Sequence, residues 1–570
     1  MTSYTLNAEG ITGALFTRVK RHPARIALDY YGRKFTYKEL GEEISRYRAM
    51  VHHLTNGEAG ERVALFMPNI PQFVFAYYGA IAAKGIAVLI NFASIVKDLK
   101  TKPPRRVVIT DDLKSQFIDS DPRVILVADI LLPILLQMGD EFLNQRIVLV
   151  AGVGEYLPAV KKLLYPIKAK IEGRWVSIPK EGGIKKLNEF LRQFENSPHA
   201  EIKTGNLDGI AQILYTTGTT GVPKGIMLTH QNLLSNSWQC REHLGEVFEE
   251  GEVVLSVLPL FHSYGLIASL YISLIELGGI LVLLPSFTPK DTISAIKRCR
   301  ITVCPAVNKI FQKLYEAGIS RESCLSLKFW MSGAGRLDPE LKKEFEQAAG
   351  VPVLEGYGLS ETSPVISITR IGENKPGSVG QPVPDTSVRI VNIENGGEVK
   401  TGEEGEILVR GPQVMAGYYN KPEETKKALR DGWLYTGDIG YIDKDGFIYI
   451  TDRKKEMSSV SGENVFWHQV ELLLLKHPSV KKCAVIGVHH KETGEAIVAF
   501  VLLDKEDSLK DVKKYAGSSH NKLLVPREII QVSEKVFSDW EDALGKLQKR
   551  KIKTYYETGR YQGRLISNGV

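Results

Sequence analysis

The chain has 570 residues, room for about four domain-sized units at roughly 150 residues each, with 43% hydrophobic and 24% charged residues. That balance excludes a disordered chain, a collagen-like repeat and a disulfide-stapled miniprotein. The 73 Lys+Arg against 66 Asp+Glu leave a formal charge of +7, an excess that permits anionic small molecules or a membrane surface as partners but does not require nucleic acid.

The N-terminal third alternates helical and strand patterns. Tyr37 to Leu54 has helical spacing, 62–66 reads as a strand, 71–83 as an apolar helix and 85–90 as the next strand, which is α/β alternation. Further strands are expected at 147–150, 211–215 and 302–305. Two apolar stretches raise the question of a membrane span. Residues 123–138 are too short and contain Asp129 and Pro133. Residues 253–275 carry no formal charge but are broken by Pro259, His262 and Gly265. They read instead as a strand at 253–258 and a helix at 265–277, followed by a strand at 280–285, a βαβ unit buried on both faces. After about Val379 the pattern changes to short strands at 388–391, 406–409, 439–442 and 448–451, with a tight turn at Asp445-Gly446. A charged connector, 452–456, follows. Beyond it lies a small α+β pattern with a helix at 469–476 and strands at 483–488 and 496–503.

The cysteines, Cys240, Cys299, Cys304, Cys324 and Cys483, are odd in number and form no C-x-x-C pair. They read as thiols in a reducing compartment, not as metal ligands or disulfides. The first residues show no basic segment leading into an apolar one, so no signal peptide is expected.

The most informative segment is Tyr215-Thr216-Thr217-Gly218-Thr219-Thr220-Gly221-Val222-Pro223-Lys224-Gly225. It follows a strand. Its glycines let backbone N–H groups approach an anion, its threonines add hydroxyl donors and Lys224 adds a cation, which together suit a phosphate-gripping loop. The G-x-x-x-x-G-K-[ST] spacing of a Walker loop is not present. In Glu355-Gly356-Tyr357-Gly358-Leu359-Ser360-Glu361-Thr362, an aromatic between two glycines can lie against a flat base. Asp438 in Tyr435-Thr436-Gly437-Asp438 can accept from two ribose hydroxyls.

In this order the motifs resemble those of the adenylate-forming enzymes, the superfamily of acyl-CoA synthetases, luciferases and peptide-synthetase adenylation domains. The resemblance runs over roughly residues 10 to 553. It includes Leu258-Pro259-Leu260-Phe261-His262, Ser332-Gly333-Ala334-Gly335-Arg336 and Asp452-Arg453 with Lys455-Glu456. It implies an α/β fold with a large N-terminal domain over 1–451, made of two α/β subdomains and a distorted β-barrel-like one. A hinge at 452–456 and a small mobile α+β cap over 457–570 complete the expected organisation.

The resemblance also implies the site. ATP or AMP would be held by Thr216, Thr217, Gly218, Thr219, Thr220, Gly221 and Lys224. Gly333, Ala334, Gly335, Glu355, Gly356, Tyr357, Gly358 and Ser360 would follow, then Asp438, Ile450, Arg453 and Lys546. Mg²⁺ would sit at Thr216 and Glu361, the hinge at Lys455, the acyl pocket at His262, Tyr264, Gly333 and Gly358, and coenzyme A at Ser461, Gly462 and Glu463. The catalytic set would be Lys546, His262, Thr216 and Glu361. For His262 the competing reading is a hydrogen-bonded core histidine, and for Lys546 an ordinary basic surface helix.

Three departures from the family pattern stand out. The usual Pro-Lys-[Ser/Thr] ahead of Gly545-Lys546 is replaced by Phe537-Ser538-Asp539-Trp540. The usual Pro-x-Glu is replaced by Trp467-His468-Gln469. Lys102-Pro103-Pro104-Arg105-Arg106 lies in an apparent insertion. The implied reaction is adenylation of a fatty acid by ATP with Mg²⁺, then transfer to coenzyme A. Segments 121–133 and 156–166 look most like those of microbial fatty acyl-CoA synthetases. Transfer to a carrier protein, aryl-acid activation and a non-catalytic acyl- or nucleotide-binding relative remain as alternatives. A cytoplasmic enzyme is expected, with peripheral membrane contact and a homodimer both left open and no nucleic-acid partner.

Overall fold

The computed structural model describes residues 10–95, 107–171, 176, 178, 183–195, 197, 206–216, 223–373, 375–460, 463–490, 493–504, 508–519, 521–541 and 547–559. Four sheets organise them. An eight-stranded sheet carries parallel strands Arg62–Phe66, Ile86–Leu89, Val124–Ala128, Ile147–Ala151 and Ile184–Lys186, with Ile210–Thr216 joining parallel to Ile86–Leu89. A nine-stranded sheet is built around parallel strands Val253–Ser256, Ile280–Leu283, Val303–Ala306, Phe329–Ser332 and Val353–Gly358. The inner strands, such as Arg62–Phe66, Val124–Ala128 and Val253–Ser256, are near-continuous apolar runs, as strands covered on both faces are. The expected βαβ unit at 253–285 is present, with Val253–Ser256 and Ile280–Leu283 as parallel neighbours. Its helix differs in pitch. Leu266–Glu276 is a π-helix, buried throughout, and the Leu277 N–H bonds to the Ile272 carbonyl. Among the described residues no helix is long and apolar enough to cross a membrane.

Local chemistry sets the helix starts. Thr36 caps Tyr37–Leu54 through a reciprocal box with Glu39, the Glu39 N–H reaching Thr36 Oγ1 at 3.1 Å and the Thr36 N–H reaching Glu39 Oε2 at 2.7 Å. Asp338 caps Pro339–Ala349, whose proline occupies a first-turn position that needs no N–H donor.

The β-rich unit is a five-stranded, largely antiparallel sheet that includes Ser387–Val391, Gly405–Arg410, Trp433–Ile442 and Ile448–Arg453. The last strand runs through Asp452 and Arg453, which pair with Ile439 and Asp438, so the first two residues of the expected hinge are sheet residues. The final unit has a sheet of Met457–Val460, Glu463–Phe466, Val480–His490, Gly494–Leu503 and Glu528–Gln531. Separate apolar clusters lie about it, one with Val470, Val485 and Val512, the other with Ile486, Phe500 and Trp540.

Candidate active site

The phosphate-type loop is the connection of a β-hairpin. Ile210–Thr216 and Lys224–Thr229 are antiparallel, and Thr216 is the direct cross-strand partner of Lys224. The sheet therefore sets the mouth of the loop. Residues 217–222, among them Thr217, Gly218, Thr219, Thr220 and Gly221, lie outside the described residues. Lys224 Nζ donates to Glu424 Oε2 at 2.7 Å and sits 4.9 Å over the Tyr418 ring. Lys224 holds the Glu424 carboxyl below its usual range. The Tyr418 hydroxyl donates to Glu361 Oε1 at 2.9 Å. The segment 415–419 is laced to both motifs: Met415 N–H to the Glu361 carbonyl at 2.8 Å and Tyr419 N–H to the Gly225 carbonyl at 2.7 Å. Tyr418 and Glu424 did not emerge from sequence reasoning. No motif marks either residue; the antiparallel pairing of Gly417 and Tyr418 with Met227 and Ile226 is what brings them to the site.

Tyr357, Asp438 and Arg453 form a second cluster. Asp438 is buried and both its oxygens are engaged, Oδ2 by the Tyr357 hydroxyl at 2.8 Å and Oδ1 by Arg453 Nε at 3.1 Å. The carboxylate beside it raises the Arg453 pKa, and burial raises that of Tyr357. Ile450 and Tyr357 pack against the same apolar cluster, which contains Ile366 and Ile407. The Ser332-Gly333-Ala334-Gly335 turn leaves the end of Phe329–Ser332, where Ser332 pairs with Glu355, so the turn lies beside Glu355 and Gly356. Ala334 has φ +63°, and Glu355 is held by Lys342 at 2.8 Å. Gly358 permits a close approach, since a Cβ there would fall 1.8 Å from the Pro364 carbonyl oxygen.

His262 stands at the N-cap of the apolar helix, where its Nδ1 accepts from the Tyr264 N–H at 3.3 Å. Tyr264 is buried, its hydroxyl donating to the Met331 carbonyl at 2.9 Å, and a Cβ on Gly333 would meet its ring at 3.1 Å. Ser360 and Ser263 hydroxyls lie 3.2 Å apart, tying the Glu361 segment to this entrance.

The small unit rests on the body through polar contacts. Arg336 Nη1 lies 3.0 Å from His468 Nε2, and Lys309 Nζ donates to Glu541 Oε2 at 3.2 Å. Lys482 holds the other Glu541 oxygen at 2.9 Å. Lys546 and Gly545 lie outside the described residues; on either side of them Glu541 and Leu547 form a bridge and the Gln548 N–H donates to the Trp540 carbonyl at 2.8 Å. Ser461 and Gly462 also lie outside, Glu463 is exposed at the start of its strand, and Lys455 is exposed in the turn after Arg453.

The AMP-binding enzyme family matches residues 15–419, and the AMP-binding enzyme C-terminal domain matches residues 469–536. The chain belongs to this family. It is 36% identical over 535 residues to a long-chain-fatty-acid–CoA ligase of Bacillus subtilis (strain 168), covering 93% of this chain and 92% of that protein. It is 33% identical to one from Escherichia coli O157:H7, over 86% and 85%. Among solved structures it resembles ATP-bound MatB from Rhodopseudomonas palustris, with a TM-score of 0.79, 26% identity and coverage of 97% of this chain and all of that one. It also resembles o-succinylbenzoate coenzyme A synthetase from Bacillus subtilis with ATP and magnesium, with a TM-score of 0.72, 26% identity and coverage of 95% and 99%. These matches bear out the adenylate-forming fold expected from the motifs.

Proposed function

We propose that the protein activates a long-chain fatty acid with ATP and transfers the acyl group to coenzyme A. The observation that carries this reading is the convergence of an anion-type hairpin mouth at Thr216 and Lys224 with the Tyr357–Asp438–Arg453 cluster and the His262 entrance. The near full-length similarity to long-chain-fatty-acid–CoA ligases supports the substrate.

A carboxylate is a poor electrophile, so its oxygen must first attack the α-phosphorus of ATP. The bond from that phosphorus to the pyrophosphate oxygen breaks and pyrophosphate leaves. In the second step the sulfur of coenzyme A attacks the acyl carbon and the acyl C–O bond to AMP breaks. The chain's part is positioning and charge neutralisation. Lys224, with the hairpin loop, would take the β- and γ-phosphates, which compete with Glu424 for its ammonium. Asp438 would accept the ribose hydroxyls while Arg453 and Tyr357 fix its orientation. The hard oxygens of Glu361 and Thr216 suit Mg²⁺, and Tyr418 orients the carboxylate. When bound, the ion offsets charge developing on the phosphates. Lys546 would contact the reacting carboxylate and α-phosphate, and a rotation of the small unit about Lys455 would withdraw it before thioester formation, with Ser461, Gly462 and Glu463 lining the coenzyme A path. We also propose that the enzyme works in peripheral contact with membranes, where long-chain acids partition.

A panel of carboxylic acids of increasing chain length, assayed for pyrophosphate release with and without coenzyme A, tests the reading. Activity that peaks on long acids and yields the CoA thioester is expected. Turnover confined to short or aryl acids, or an acyl-adenylate that coenzyme A leaves unconsumed, would overturn it.

A further inference from the structure

The exposed apolar surface is concentrated on one helix. Among the described residues, five of the thirteen exposed large hydrophobic side chains belong to Ala159–Ile171: Val160, Leu163, Leu164, Ile167 and Ile171, each between 54% and 81% exposed. Their spacing, i, i+3, i+4, i+7 and i+11, puts all five on one face, whereas scattered apolar residues on a soluble surface would not align. The opposite face is seated. Ala169 is buried, and Gly154 lies so close to the Tyr165 ring that a Cβ there would fall 2.4 Å from it. Lys161 Nζ donates to the Tyr31 carbonyl at 3.3 Å and lies 5.1 Å over the Tyr31 ring. The body therefore holds the helix with its apolar stripe turned outward.

The charge of the helix selects the occupant. Its sequence contains Lys161, Lys162, Lys168 and Lys170 and no acidic residue. By register, Lys161 flanks the stripe on one side and Lys170 on the other, while Lys162 lies with Ala169 toward the seated face. A second copy of the chain seated on this face would bring the lysine flanks against like-charged flanks. An anionic lipid surface would accept the stripe among acyl chains and the flanking ammonium groups among headgroups. At 13 residues, about 20 Å long, the helix can lie in the interface but not span it.

We propose that Ala159–Ile171 is the element by which this protein docks on anionic membranes, lying flat with Val160, Leu163, Leu164, Ile167 and Ile171 inserted. This rests on the peripheral contact proposed above and assigns it to one helix. The test is flotation of the full chain with vesicles of phosphatidylcholine, with and without phosphatidylglycerol, at low and high salt. Wild type is expected to float with the anionic vesicles, less so at high salt. The double variant Leu163→Ser, Ile167→Ser should lose at least about tenfold in partitioning. It should keep wild-type pyrophosphate release with a short soluble acid, which shows that it folds. Lys161→Glu with Lys170→Glu should abolish the preference for phosphatidylglycerol. Wild type that fails to float would overturn the membrane contact itself. Wild type that floats while the serine variant floats equally would overturn the assignment to this helix. A concentration-dependent dimer in sedimentation, lost in the serine variant, would assign the stripe to a second copy instead.

Discussion

The Tyr357–Asp438–Arg453 cluster makes a sharp prediction. Asp438 is only 3% exposed, and Tyr357 supplies one of its two side-chain donors at 2.8 Å. Tyr357→Phe deletes that donor and keeps the ring. A hydrogen bond to a charged group is worth about 1.5–3 kcal/mol, and a buried oxygen left unpaired pays its desolvation cost. At 1.36 kcal/mol per tenfold, this is about 10- to 150-fold. In the ATP-binding state the loss should appear as a higher KM for ATP with little change in the KM for the acid, because the ring still packs against the cluster of Ile366 and Ile407 and the carboxylate loses orientation, not charge. In the free protein it should appear as a lower denaturant midpoint. The double variant with Asp438→Ala, measured by urea unfolding, should show coupling of about 1 kcal/mol or more, since the two side chains share one bond. Strictly additive effects, or a Tyr357→Phe enzyme with wild-type stability and wild-type KM for ATP, would refute the reasoning.

The remaining predictions concern the small unit and its junction. Lys546→Ala should abolish carboxylate-dependent ATP–pyrophosphate exchange while thioester formation from supplied acyl-adenylate persists; equal loss of both half-reactions in a folded protein would remove Lys546 from the adenylation step. Lys309→Met cuts the tie to Glu541, five residues before Lys546. Because that pair is partly exposed, at most about 1 kcal/mol or fivefold is expected, in the adenylation half-reaction alone, and stopped-flow measurement of each half-reaction separates the two. Asp452, buried beside the turn that holds Lys455, has its carboxyl raised to about 7, chiefly by desolvation, with Glu456 and Glu471 raising it and His468 and the Arg453 N–H opposing. The folded pKa lies above the unfolded one, so this group's contribution is full below about 4 and is lost as pH rises through about 7. Asp452→Asn should therefore flatten the fall in stability over that window and give a higher Tm than wild type above pH 7. An unchanged pH slope would show that Asp452 ionises normally.

The sequence was most legible where one local feature decides the outcome. Parallel strands such as Arg62–Phe66 and Val253–Ser256 show as unbroken apolar runs because both faces are covered, and the Thr36–Glu39 box marks its helix directly. The pitch of Leu266–Glu276 was not legible, since a uniformly apolar segment has no face from which to read 3.6 residues per turn against a wider coil. The site divides in the same way. Tyr357 and Asp438 stand in short motifs whose composition suggests their chemistry, but 81 residues of chain separate the hydroxyl from the carboxylate it serves. Tyr418 and Glu424 carry no motif; they matter because antiparallel pairing of Gly417–Tyr418 with the strand after the loop carries them to Glu361 and Lys224. The stripe on Ala159–Ile171 is periodic enough to find in sequence, yet the same i, i+3, i+4, i+7 pattern would describe a buried helix. Only the seating of Tyr165 and Ala169 against the body shows that the apolar face is the one left outside.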